Sequence, residues 1–230
     1  MPGYLPLCAS RQNLLPAACR DCAWWQTTGG GRRDTDAAGE KRRQWMTALE
    51  STWGSTGLLL EGSNAATSGG LPPEQAGLTE RSTDPVVTAS IHFAPAAAVP
   101  RLRDLRFAPL APGSVLLFCL RSEGGRGRPQ AKRLLHKALE RLKERDIQEV
   151  YAFASLSGSP EDLDRCEFFS LRFLEANGFQ RLRDNGDIYL MRTDLRGLLS
   201  LIAQVETAVR RALRNDPTPS PAAWTRRETS

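Results

Sequence analysis

Arg126-Gly127-Arg128-Pro129-Gln130-Ala131 joins an apolar run to an amphipathic stretch, and this junction can do chemistry. The run before it, Val115-Leu116-Leu117-Phe118-Cys119-Leu120, is continuous and apolar, as expected of a strand buried on both faces. The stretch after it places Leu134, Leu135, Ala138, Leu139 and Leu142 on one helical stripe. A strand that feeds a Gly/Arg-rich turn opening a helix makes an anion site. Free N–H groups point outward, the helix dipole adds partial positive charge, and arginines supply full charge. Such a turn suits a pyrophosphate, and a solvated helix start is the plainer alternative.

Other side chains offer weaker chemistry. His92, near the end of a predicted strand, is a candidate general base, although most lone histidines are not catalytic. Glu123 lies just past the apolar strand and is a second candidate, with pairing to Arg121 or Arg126 as its alternative. Cys19 and Cys22 have the spacing of metal ligands, but no second Cys or His pair follows at zinc-site distance. Two packed thiols and no metal are expected. Trp24, Trp25, Trp45 and Trp53 are expected in the core.

The elements that must position these residues follow from pattern and punctuation. A short strand is expected over Cys19–Gln26, a helix over Glu40–Trp53 and strands over Gly57–Glu61 and Pro85–Phe93. Strand 115–121, turn 122–128, helix 129–145 and strand 147–154 form a βαβ unit. Glu167–Asn177 reads as a helix capped by Gly178, and Asn185-Gly186 as the turn of a hairpin. The expected organisation is a flexible tail at 1–12, one domain over 13–196 with a flexible insert at 62–83, an amphipathic helix at 197–214 and a disordered tail at 215–230.

Composition narrows the function classes. The chain has 230 residues, 40% hydrophobic and 25% charged, with a formal net charge of +5. These values are ordinary for a globular protein. Residues 126–145 hold eight basic and two acidic side chains, and residues 149–167 hold one basic and five acidic. A local positive field favours phosphate-bearing ligands. No nucleic-acid motif accompanies it, so nucleic acid is disfavoured as a partner. No apolar segment reaches membrane-spanning length, no signal-peptide order opens the chain, and five sparse cysteines fit a reducing cytoplasm.

The second half, roughly residues 85–195, resembles the GNAT superfamily of N-acetyltransferases. The resemblance rests on the order of elements and on two patterns. One is the acyl-CoA loop, matched here at Arg126 and Ala131. The other is the closing Phe-to-Gly-Phe pattern, here Phe173 through Gly178-Phe179. Cys19-Arg20-Asp21-Cys22-Ala23-Trp24-Trp25, with Trp53-Gly54 and Val99-Pro100-Arg101, also resembles a bacterial GNAT-like branch that opens on Cys-x-x-Cys. The resemblance implies an α/β fold with a mixed, mostly antiparallel twisted sheet flanked by helices, splayed central strands and an extra C-terminal helix. It implies acetyl-CoA as co-substrate. The backbone of Cys119, Leu120 and Arg121 would hold the pantetheine, and Arg126, Gly127, Arg128, Gln130 and Ala131 the pyrophosphate. The acceptor would be a small-molecule or protein amine, and a homodimer is an accompanying expectation. Two positions depart from the pattern: Pro129 replaces the loop's central glycine, and Leu174 stands where the family's general-acid tyrosine falls. They make a catalytically degenerate module, binding a partner, acyl-CoA or nucleic acid, the alternative to an acyltransferase.

Overall fold

The computed structural model describes residues 3–28, 36–62, 85–107, 109–122, 129–156 and 168–196. The elements below belong to the unit that ends at Leu195. The expected insert 62–83 (Gly62 apart), C-terminal helix 197–214 and tail 215–230 lie outside the described residues.

The apolar run becomes β4 (Val115–Ser122), and Val115 through Leu120 are buried. It lies mid-sheet. On one side come β3 (Val87–Pro95), β2 (Gly57–Glu61) and β1 (Tyr4–Pro6), each antiparallel to its neighbour. On the other side β5 (Glu149–Ser155) runs parallel to β4, followed by β8 (Ile188–Asp194) and β7 (Gln180–Asn185), again antiparallel. A two-residue strand, β6 (Phe169–Ser170), pairs with β5. The result is a mixed, mostly antiparallel sheet of eight strands among the described residues, in the path β1-β2-β3-β4-β5-β8-β7 with β6 beside β5.

The parallel β4–β5 step needs a crossover, and α3 (Pro129–Lys143) supplies it. Its predicted stripe, Leu134, Leu135, Ala138, Leu139 and Leu142, is fully buried, as is Ala131, and packs onto the sheet. Helix α2 (Asp36–Glu50) and a short α1 (Ala17–Arg20) cover the other face. His92 and Phe93 separate the two faces, because successive strand residues point opposite ways. Arg42 of α2 meets His92, whereas Arg145, just past α3, stacks on Phe93 and Trp53. Gly57 is required where β2 crosses β3, since a Cβ there would lie 2.3 Å from the Ile91 carbonyl oxygen.

Three local expectations are corrected. Tyr4–Pro6, within the expected tail 1–12, is an edge strand paired with Leu58–Leu60. Cys19–Gln26 is not a strand but the end of α1 followed by turns, and the carbonyls of Cys19, Cys22, Trp24 and Trp25 accept from Arg42 and Arg101 instead of from a ladder. The helix expected over Glu167–Asn177 is shorter: α4 spans Leu171–Glu175, and β6 occupies the two residues before it. Its end is as read. Gly178 has φ +86°, and the N–H groups of Phe179 and Gly178 donate to the carbonyls of Leu174 and Glu175, each at 3.1 Å.

Candidate functional site

The central strands part. β4 and β5 share only three rungs, Val115↔Val150, Leu116↔Tyr151 and Leu117↔Ala152. Beyond these, β4 continues to Ser122 held by β3, and β5 continues to Ser155 held by β8. The parting has a local cause. Between the pairs His92↔Phe118 and Ser90↔Arg121, the single residue Ile91 opposes both Cys119 and Leu120. This is a β-bulge, which bends its strand and ends regular pairing. Cys119 takes it up in the left-handed region, φ +52°, a conformation that costs a non-glycine residue energy.

The slot so formed is bounded at its far end. β6 pairs with Ala154 and Ser155, whose other edge belongs to β8. It therefore sits on the edge that faces β4. A ligand lying between the strands has the bulged stretch of β4 on one side, and on the other β5 only up to where β6 begins.

Of the residues singled out for a cofactor, Cys119 and Leu120 are buried within the bulge, and Arg121 is half-buried where pairing with β3 resumes. Gln130 and Ala131 lie in the first turn of α3 behind Pro129. Glu123, Arg126, Gly127 and Arg128 lie outside the described residues. Leu174 is fully buried, a core leucine.

His92 is 2% exposed, and its ring stacks on Phe118 at 5.8 Å between centroids. A ring nitrogen accepts from Arg42 Nη2 at 3.0 Å. Arg42 is itself buried and donates through Nη1 to the carbonyl oxygens of Cys19 (2.6 Å) and Cys22 (3.1 Å). In this network the Cys-x-x-Cys segment uses its backbone, and both thiols are buried. Among the described residues, no group of three or more His, Cys, Asp or Glu side chains converges as a metal site would require.

Aromatic rings wall the slot's closed end on the α2 face. Phe118 and Phe153 are the first residues of β4 and β5 past the last rung. Trp25 packs against both, at 5.3 and 6.0 Å. Phe168, just before β6, meets Trp24, Trp25 and Phe153. Arg101 locks the Trp24-Trp25 turn. Its backbone N–H donates to Trp25 O (3.3 Å), its Nε to Trp24 O (2.9 Å), and its guanidinium lies 4.5 Å over the Trp24 ring. Of the four tryptophans expected in the core, Trp25 is buried, and Trp24, Trp45 and Trp53 are half-buried. The position of Trp24 and Trp25 over the parting strands was not legible, because the contact with Arg101 spans 77 residues.

Two further pockets of about 410 Å³ lie elsewhere. One, lined by Pro95, Val99, Leu102 and Leu110, sits beside the paired start of β4. The other, lined by Tyr4, Ser55, Arg141 and Arg145, sits under the end of α3.

A mixed sheet in which a parallel β4–α3–β5 crossover joins central strands that diverge after a bulge is the GNAT fold. The chain is similar to several solved structures. An N-acetyltransferase from Staphylococcus aureus Mu50 is similar over 85% of this chain and 99% of its own, with a TM-score of 0.51 and 11% identity. The PaiA N-acetyltransferase from Thermoplasma acidophilum, solved in complex with coenzyme A, covers 84% of this chain and 99% of its own, with a TM-score of 0.47 and 13% identity. A ribosomal-protein-alanine N-acetyltransferase from Brucella melitensis covers 84% and 99%, with a TM-score of 0.48 and 15% identity. No protein-family model and no curated protein sequence matches the chain. Among the described residues, no helix is long and apolar enough to cross a membrane.

Proposed function

We propose that this protein is an acetyl-CoA-dependent N-acetyltransferase acting on a primary amine. The observation that carries the reading is the ladder that stops after Leu117↔Ala152 while both strands run on. An extended pantetheine arm matches a slot of that form. The backbone of Cys119, Leu120 and Arg121 would hold the arm, and residues 126–131 the pyrophosphate at the start of α3, where helix N–H groups favour an anion. The chemistry then needs little more than placement. The amine nitrogen attacks the thioester carbon, a C–N bond forms, the C–S bond breaks, and the thiolate takes its proton from solvent, since Leu174 has none to give. No base is assigned: Glu123 stays a candidate by sequence position, and the lone pair of His92 that faces Arg42 is committed to that guanidinium. A cytoplasmic location and a small-molecule or protein acceptor accompany this reading.

Isothermal titration with acetyl-CoA and CoA, followed by thiol release with a panel of amines, tests it. Heat with both ligands and amine-dependent thiol release are expected, and no heat at millimolar ligand removes the cofactor assignment. Pro129 and Leu174 favour a second reading, a binding module that keeps the slot without turnover. Heat without thiol release selects that reading. Pro129 lacks one N–H at the pyrophosphate, worth about 1.5–3 kcal/mol as a charge-assisted hydrogen bond. Pro129→Gly is therefore expected to tighten CoA about tenfold or more, and unchanged affinity removes the loop from the site.

A further inference from the structure

The pocket under the end of α3 contains a cation whose partners are all neutral. Arg145, just past the helix, lines the pocket and is half-buried. Its Nη1 donates to the carbonyl oxygen of Ser55 at 3.2 Å, and its Nη2 to the Ser55 hydroxyl at 2.7 Å. The guanidinium lies 4.7 Å from the centroid of the Trp53 ring and 5.7 Å from that of Phe93. These contacts fix the group, yet none of them brings a negative charge. Glu144, the adjacent carboxylate, bonds Arg141 at 2.9 Å instead. Among the described residues Arg145 has no ion pair. Burial first, and then the like charge of Arg141, hold its pKa below the ordinary arginine value. A bound anion would oppose both effects.

The rest of the pocket narrows the anion. Its volume of about 410 Å³ suits a small organic molecule. Arg141 and Glu144 also line it, both exposed. Two arginines and one glutamate leave one net positive charge. A monoanion balances that sum, whereas a phosphate dianion exceeds it and meets Glu144 as well. Ser55 takes two of the Arg145 donors and leaves the others free for a planar acceptor, which a carboxylate matches. Half-buried Tyr4, with Leu58 and Phe93, makes much of the remaining lining apolar. The carboxylate's molecule therefore needs an apolar body.

We propose that this pocket is a second ligand site, which binds a small monocarboxylate with an apolar body and pairs its carboxylate with Arg145 beside Arg141. The site does not depend on the slot between β4 and β5. Helix α3 has 15 residues, about 20 Å of length, and the pyrophosphate position proposed above lies at its other end.

Calorimetry on the full chain with benzoate, benzamide and inorganic phosphate tests the proposal. Benzoate is expected to bind with a Kd on the order of 1 mM or tighter. Benzamide has the same shape without the charge and should bind about tenfold or more weaker, and phosphate should also be weaker than benzoate. Arg145→Met should lose about tenfold or more for benzoate. Should that variant not fold, Glu144→Gln decides. It alters an exposed side chain, removes the pocket's carboxylate and should tighten benzoate about threefold, a gain that damage to the fold cannot produce. Saturating acetyl-CoA should leave benzoate binding in place. No benzoate binding at about 10 mM overturns the proposal. So does benzamide or phosphate binding as tightly as benzoate, displacement of benzoate by acetyl-CoA, or a benzoate affinity unmoved by these substitutions. A chain that binds benzoate but no CoA keeps this site and loses the slot reading.

Discussion

Arg42 takes a permanent positive charge into the interior and gives it no carboxylate among the described residues. Its acceptors are two carbonyls from Cys19 and Cys22 and the ring of His92, so one side chain ties α2, the turn after α1 and β3 together. Arg42→Met should cost about 2–4 kcal/mol in urea unfolding, because three acceptors are left buried together. Arg43→Ala, one residue on, breaks only a solvent-exposed pair with Glu40 and should leave the midpoint unmoved. Tyr151 gives a pH-dependent signature. Burial first, and then its hydrogen bond to Glu149, hold the phenol above its ordinary value. The folded state keeps the proton that the unfolded chain loses near pH 10, so this contribution is intact below about pH 10 and is lost as pH rises beyond it. Tyr151→Phe should flatten the alkaline limb of a stability-against-pH curve and leave the neutral region's slope unchanged.

At the scale of elements, α3 shows how much a sequence declares. Its stripe from Leu134 to Leu142 and the apolar run of β4 were readable because amphipathic and fully buried patterns repeat over many residues. The bulge was not, since nothing in Phe118-Cys119-Leu120 announces a left-handed cysteine. β6, with two residues, and α1, with four, are too short for any period to register. α3 also ends in a way its sequence did not advertise. Asp146, exposed, has φ +58°, and the N–H groups of Ile147 and Asp146 donate to the carbonyls of Leu142 and Lys143. That position suits glycine. Asp146→Gly should stabilise the protein by about 1 kcal/mol, read as a rise in thermal midpoint.

For the molecule as a whole, the order of elements along the chain and the resemblance of residues 85–195 carried the fold, whereas the site's closed end needed contacts across long sequence gaps, Trp25 on Phe118 and Phe153 above all. Ligand binding confined to the slot predicts a map. At about 100-fold excess over Kd, acetyl-CoA should add about 2.7 kcal/mol to the unfolding free energy. Amide exchange should slow over 118–122 and leave Val115–Leu117, already inside the ladder, much as they were. Uniform slowing across the sheet would instead mean global stabilisation without a site between the strands.

The three-rung junction also has a mechanical meaning. Strands β1 to β4 hang together on one side of it, β5, β8 and β7 on the other, and among the described residues direct ladder bonding between the halves is confined to Val115–Leu117 against Val150–Ala152. Under tension applied across the sheet, this seam should tear first. A molecule wedged beyond it and bonded to either lip would act as a rivet, so the force needed to open the protein becomes a direct gauge of whether its substrate is aboard.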